Sequence, residues 1–253
     1  MIADGHDTRV LSHGRRRARS VLLLHGYTHS PAQLDPLAAL FFARGYNVVV
    51  PRAPGHGLVD PDGHATVTAA GLRAYAAEAL DTAAALGAET GVLGVSGGGV
   101  LATWLAVRRP ETVRRLVVLA PLYAPHPSQV PPAARVALRV LHGRRLLPDR
   151  RSSRGYSYRA VAQYLRIASA LPRAFPANGP ARVAAVLAPG DTTVDGKLAF
   201  ELPERLARAA GASLTLDTLP SHLGLAHDII SRHRLGEHAD VLYERYAALY
   251  EDA

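Results

Sequence analysis

Short β-branched runs alternate with longer alanine- and leucine-rich stretches along nearly the whole chain. This alternation limits the fold more than any other feature. The runs fall at residues 21–25, 46–50, 92–95, 116–120, 183–188 and 214–219. Most are continuously apolar, the pattern of parallel strands covered on both faces. The last one alternates, with Leu214, Leu216 and Leu219 among Thr and Asp, which suits a sheet edge. The stretches between them read as helices with recognisable ends. Residues 31–44 open on Ser30 and Pro31 and stop at Gly45. Residues 68–86 stop at Gly87, 98–109 before Pro110 and 198–210 at Gly211, and 239–250 close the chain. Strand–helix alternation at this spacing predicts a doubly wound, mostly parallel α/β sheet. The 253 residues fit one such domain, because α/β folds reach about 250 residues as a unit.

One segment breaks the rhythm. Residues 123–180 contain Pro125, Pro127, Pro131 and Pro132, two helical patterns at 133–141 and 158–171, and no convincing strand. The segment reads as an insertion between two sheet strands, forming a small helical lid; the plainer alternative is a long surface crossover.

Composition narrows the chemistry. With no cysteine, a disulfide scaffold, a thiolate metal site and a cysteine nucleophile are all excluded. The longest apolar runs fall far short of the roughly 20 residues of a membrane span. Residues 1–20 show no apolar core of a secretory signal, so a cytoplasmic location is expected. H-E-x-x-H and G-x-x-x-x-G-K-[ST] are both absent, and no metal or cofactor is expected.

The feature that carries chemistry is Gly94-Val95-Ser96-Gly97-Gly98, a G-x-S-x-G match after a strand and before a helix. A serine on so tight a turn occupies an unfavourable backbone region, and side chains two residues either side would collide, so glycine is needed there. The helix start behind it offers free N–H groups and a positive dipole. A second feature lies at the end of an earlier strand, in Leu24-His25-Gly26-Tyr27-Thr28. In serine hydrolases built this way, the residue after such a His-Gly and the residue after the nucleophile donate the oxyanion N–H groups. Here these are Tyr27 and Gly97. The His25 side chain itself reads as structural, bonding loop backbone.

With these residues the chain resembles the α/β-hydrolase superfamily, in particular its carboxylesterase, monoacylglycerol lipase and lysophospholipase branch. Pro54-Gly55-His56-Gly57 and Ala120-Pro121-Leu122-Tyr123 belong to the same likeness. Two departures stand out: Arg52, where relatives often carry aspartate, and Gly97, where many carry leucine or methionine. Only about 20 residues precede the first core strand, so the leading antiparallel strands are expected to be reduced. The resemblance implies a serine hydrolase cleaving carboxylic esters through an acyl-Ser96 intermediate, with nucleophile, acid and base in that chain order. For the acid, Asp191 follows a strand and a glycine directly and is favoured over Asp195, which would then begin the next helix. For the base, His227 precedes Asp-Ile-Ile and is favoured over His222, which comes sooner after the last strand. His6, His13, His126, His142, His233 and His238 read as surface residues, and His56 and His64 as structural residues near the cleft. The same trio could serve amide, thioester or carbon–carbon hydrolysis, and a non-enzymatic binding protein is the remaining alternative.

The net charge of +8 is unevenly placed. Residues 1–19 carry five arginines against Asp4 and Asp7, and 135–173 carry ten against Asp149 alone, leaving the rest of the chain mildly acidic. With no nucleic-acid-binding module, a DNA or RNA partner is not expected. A small-molecule ester is, with two possible preferences. A leucine-rich lid (Leu138, Leu141, Leu146, Leu147, Leu165, Leu171, with Tyr164 and Phe175) would favour acyl chains; an arginine-rich one would favour a negative head group. Ordinary packing and solvated arginines are the bland alternatives.

Overall fold

The computed structural model describes residues 1–60, 62–152 and 155–251. Strand β2 (Arg17–Leu24) begins polar and ends in five buried residues, and β3 (Asn47–Val50) is buried throughout. β4 (Gly87–Val95), β5 (Val113–Leu119) and β6 (Arg182–Leu187) likewise end in unbroken buried runs. Strands apolar on both faces are stable only inside a parallel sheet layered with helices. With β1 (Arg9–Leu11) and β7 (Ser213–Thr218) they form one seven-stranded sheet in the order β1-β3-β2-β4-β5-β6-β7. All neighbours run parallel except β1, which lies antiparallel on β3 with Arg9 opposite Val50. The predicted doubly wound sheet is therefore present, and a single short antiparallel strand leads it. β7 is at the edge, with no residue fully buried.

Helices α1 (Asp35–Ala43) and α8 (Ala239–Glu251), the latter after the single-turn α7 (Arg232–Leu235), pack on each other and on the sheet, as do α2 (Ala69–Leu86) and α3 (Gly97–Arg108). α6 (Gly196–Ala210) covers β6 and β7. Several ends differ from the sequence expectation. Residues 31–34 form a separate 3₁₀ turn before α1. Thr68 caps α2, its hydroxyl accepting the Gly71 N–H at 3.0 Å. Gly87 does not close that helix in a left-handed turn; it is extended and opens β4 directly.

Between β5 and β6 the chain forms α4 (Pro132–Ala137), a π-helical turn at Leu138–His142 and α5 (Tyr158–Ser169). α4 has no buried residue, whereas α5 packs on α3. Ser157 caps α5, accepting the Ala160 N–H at 3.1 Å. The start of this segment is held to the loop after β6. His126 N–H donates to Thr193 O at 2.9 Å, and Arg135 pairs with Asp195 at 2.9 Å with both side chains mostly buried. No described helix is long and apolar enough to cross a membrane.

Candidate active site

The carboxyl ends of β2, β4, β6 and β7 bring four loops together. β4 ends at Ser96, which has φ 51° and ψ −110° and is followed at once by α3. Its N–H donates to Leu119 O at 2.9 Å, and its carbonyl accepts the Leu122 N–H at 3.0 Å, so both neighbouring chain segments fix the turn. A Cβ on Gly94 would overlap the Gly98 carbonyl, and one on Gly98 would overlap the Leu24 carbonyl. This is why the motif needs both glycines. Thr28, after β2, and Ala120, directly after β5, also have positive φ, so three of the four such non-glycine residues among those described lie just beyond carboxyl ends of sheet strands. Each costs on the order of 1–3 kcal/mol, and such strain gathers at functional sites.

His227 stands over this turn. Its Nε2 lies 2.9 Å from Ser96 Oγ, and its Nδ1 lies 2.8 Å from Asp191 Oδ2. An ionised carboxylate can only accept, so the proton sits on Nδ1 and leaves Nε2 to accept from the serine hydroxyl. The Asp191 side chain is only 3% exposed. Burial alone would raise its carboxyl. Hydrogen bonding from His227 and from the N–H groups of Thr193 and Val194 outweighs that and holds it below the usual carboxylate range. Asp195 and His222 lie apart from this chain of hydrogen bonds. Asp195 caps α6 through the Leu198 N–H and pairs with Arg135. His222 is exposed on a 3₁₀ turn.

Tyr27 and Gly97 have backbone N–H groups with no acceptor among the described residues. The His25 side chain bonds loop backbone: Nδ1 to Gly26 O at 2.9 Å and Nε2 from the Ala53 N–H at 3.1 Å. Arg52 donates to His56 O at 2.9 Å, so it too supports a loop. Above Ser96 opens a cavity of about 500 Å³, within the range of a small-molecule site. Its apolar wall includes Val95, Leu122, Val130, Leu138, Val161 and Leu225; its polar wall includes Thr28, His29, Gln33, His233 and Arg234. Thr28, His29, Gln33 and His233 also border a second, more polar cavity of about 960 Å³.

Comparison with known proteins places this architecture. The model of a hydrolase family described as serine aminopeptidase, S33, matches residues 15–173, well over half the chain. The chain belongs to this S33 hydrolase family. The match includes Ser96 and stops before residues 191 and 227. A pyrethroid hydrolase of Sphingobium wenxiniae is 35% identical over 106 residues, 42% of this chain and 37% of that protein. The matched part is thus well under half of that relative's length. Among solved structures, a metagenome-derived lipolytic enzyme of the LipS and LipT study superposes with a TM-score of 0.74 at 21% identity, covering 98% of each chain. The monoacylglycerol lipase of Paleococcus ferrophilus gives 0.71 at 17% identity, covering 96% of this chain and 97% of its own. At these identities the structural likeness speaks for the fold.

In this S33 hydrolase the inserted segment contributes differently from expectation. Of the leucines and aromatics anticipated as lid lining, only Leu138 borders the cavity, while Leu141, Leu146 and Leu147 face solvent. Tyr156, Tyr158 and Val161 line it instead. None of the described arginines of this segment reaches the cavity; among the described residues its one arginine is Arg234, after β7. Arg154 lies outside the described residues. His142 is buried against Tyr158 rather than on the surface, whereas His233 is exposed as expected and borders the cavity.

Proposed function

We propose that this hydrolase cleaves carboxylic esters, with Ser96 as nucleophile, His227 as general base, Asp191 as the orienting acid, and the Tyr27 and Gly97 N–H groups as the oxyanion hole. The observation that carries the reading is the unbroken hydrogen-bonded line from Asp191 through His227 to Ser96 at the floor of the cavity. A serine hydroxyl alone is a weak nucleophile. His227 takes its proton as Oγ attacks the ester carbonyl, and Asp191 holds the tautomer and stabilises the imidazolium. The two N–H groups receive the oxyanion of the tetrahedral intermediate; removing one such donor typically costs about 3–4 kcal/mol. His227 then protonates the departing alkoxide, and water clears the acyl-Ser96 by the same route in reverse.

The ester reading is supported over aminopeptidase action by the cavity's charge. Among the described residues the only carboxylate lining it is Asp228, beside Arg234, and its Oδ1 is already engaged by the N–H groups of Ile230 and Ser231. The apolar wall suits the acyl part of the substrate and the His29–Arg234 side its polar alcohol. The pyrethroid hydrolase likeness is in keeping with a bulky ester. We further propose that the chain is one hydrolase domain with residues 123–180 as its lid.

Fluorophosphonate labelling followed by a p-nitrophenyl ester chain-length series tests the reading. Wild-type protein is expected to label and Ser96→Ala not to. His227→Ala should abolish turnover while His222→Ala leaves it. Equal labelling of wild type and Ser96→Ala, or the reverse histidine pattern, would overturn the assignments.

A further inference from the structure

Gly97 has no side chain to fill the space over its turn, and the structure contains the group that takes that space. A Cβ built on Gly97 would lie 2.9 Å from Cε1 of the Tyr164 ring and 3.1 Å from its Cδ1. Tyr164 belongs to α5, is 2% exposed, and its hydroxyl makes no hydrogen bond among the described residues. The ring therefore acts by its shape. It also packs on the other oxyanion residue, with the Tyr27 and Tyr164 centroids 5.7 Å apart. Tyr27 is gripped a second time by the same helix. Its hydroxyl accepts the N–H of Ser157, the fully buried cap of α5, at 3.1 Å. Ser157 is fixed in turn, donating from Oγ to Asp149 at 2.6 Å, and Asp149 also accepts the Arg159 N–H at 3.0 Å.

We infer that α5 positions the oxyanion hole. Tyr164 wedges the Gly97 end, and the Ser157–Tyr27 hydrogen bond holds the other. Tyr164 and Ser157 touch no reacting atom and are positioning residues; their role rests on the proposed use of the Tyr27 and Gly97 N–H groups. Neither residue alone would keep both donors in place. Thr28, next to Tyr27, has φ 71° and needs external support to persist. Gly97 has no side chain with which to pack its own turn. The inserted segment thus completes the catalytic floor as well as covering it.

Substitution at Tyr164 separates ring from hydroxyl and local packing from general folding. Tyr164→Phe should keep full activity. Tyr164→Ala should lower kcat by about 10- to 100-fold, the scale of a displaced catalytic group, with KM changed by less than about threefold. Gly97→Leu alone should also impair kcat, since the new side chain meets the ring. Gly97→Leu with Tyr164→Ala should be at least about tenfold more active than either single variant, because each change makes room for or replaces the other. Backbone ¹⁵N order parameters provide a readout without turnover. The Tyr27 and Gly97 amides should be rigid in wild type and Tyr164→Phe, near 0.85, and looser in Tyr164→Ala, while Leu22 and Val92 stay unchanged. Strictly additive losses in the double variant, a Phe variant as damaged as the Ala variant, or unaltered Tyr27 and Gly97 amides in Tyr164→Ala would overturn the inference. A wild-type protein that failed to label with fluorophosphonate would instead overturn the proposed function, while the amide measurement would still decide whether α5 orders these two groups.

Discussion

Acidification should destabilise this fold through two histidines that take no part in the proposed chemistry. His25 and His56 are 4% and 2% exposed, and their rings lie 5.4 Å apart. Both are held as neutral Nδ1-H tautomers, His25 donating to Gly26 O and His56 to Pro54 O at 2.8 Å. Burial, and then the His56 neighbour, lowers His25 to about 3. Burial lowers His56 to about 4. An unfolded histidine titrates near 6.5, so below that pH the unfolded chain binds protons the native chain refuses, and stability falls with pH. The loss begins near pH 6.5 and continues to the folded-state values. At about pH 5 each histidine has lost about 1.5 pH units of this linkage, or about 2 kcal/mol, giving about 4 kcal/mol for the pair. That is a large share of a typical stability of about 5–15 kcal/mol. Carboxylates contribute little in this window, because their unfolded values near 4 leave them ionised. Urea unfolding at about pH 7.5 and pH 5 should show the midpoint falling by roughly 1–2 M. In His56→Asn the stability loss should be smaller by about 2 kcal/mol, the remainder coming from His25 and from His29 and His142, which burial also lowers. A loss below about 1 kcal/mol in wild type, or an unchanged loss in the variant, would refute the claim that burial keeps these rings neutral.

Two further outcomes follow from the packing. Gly98→Ala should lower stability by more than about 3 kcal/mol, read as a drop in melting temperature, since its methyl group would overlap the Leu24 carbonyl of an immobile central strand. Arg135→Ala should cost about 1–3 kcal/mol in chemical denaturation, because it leaves Asp195 mostly buried without its partner at the start of α6.

The parts legible in the sequence were those whose signal is local. The buried strands announce themselves because both faces are apolar, and the serine turn because its glycines are adjacent. β1 carried no such signal: three residues, none fully buried, with Val10 half exposed, are held by backbone pairing to β3, by Leu11 against the core and by an Arg9–Asp35 ion pair. Gly87 looked like a helix stop but is required by a neighbouring strand, since a Cβ there would sit 2.7 Å from Ser20 Cβ. The segment between β5 and β6, the proposed lid, was the least readable. Which face of its helices turns inward depends on how the segment folds back, so Leu146 and Leu147 point to water while Tyr156 and Val161 reach the cavity. The meaning of Gly97 was hidden for the same reason, because its counterpart Tyr164 lies far along the chain. The Ser157 cap had a local sign, a serine just before a helical period.

The order of the strands divides the proposed machinery unequally. The nucleophile turn hangs from β4, flanked by β2 and β5 in the interior of the sheet, whereas the acid follows β6 and the base follows β7 at its margin. Local opening of a protein takes less free energy at frayed margins than at its centre. With Ser96, Asp191 and His227 in their proposed roles, a chain loosened only around β7 would lose its proton acceptor while its serine still sat in a native turn, folded by most measures and already inert.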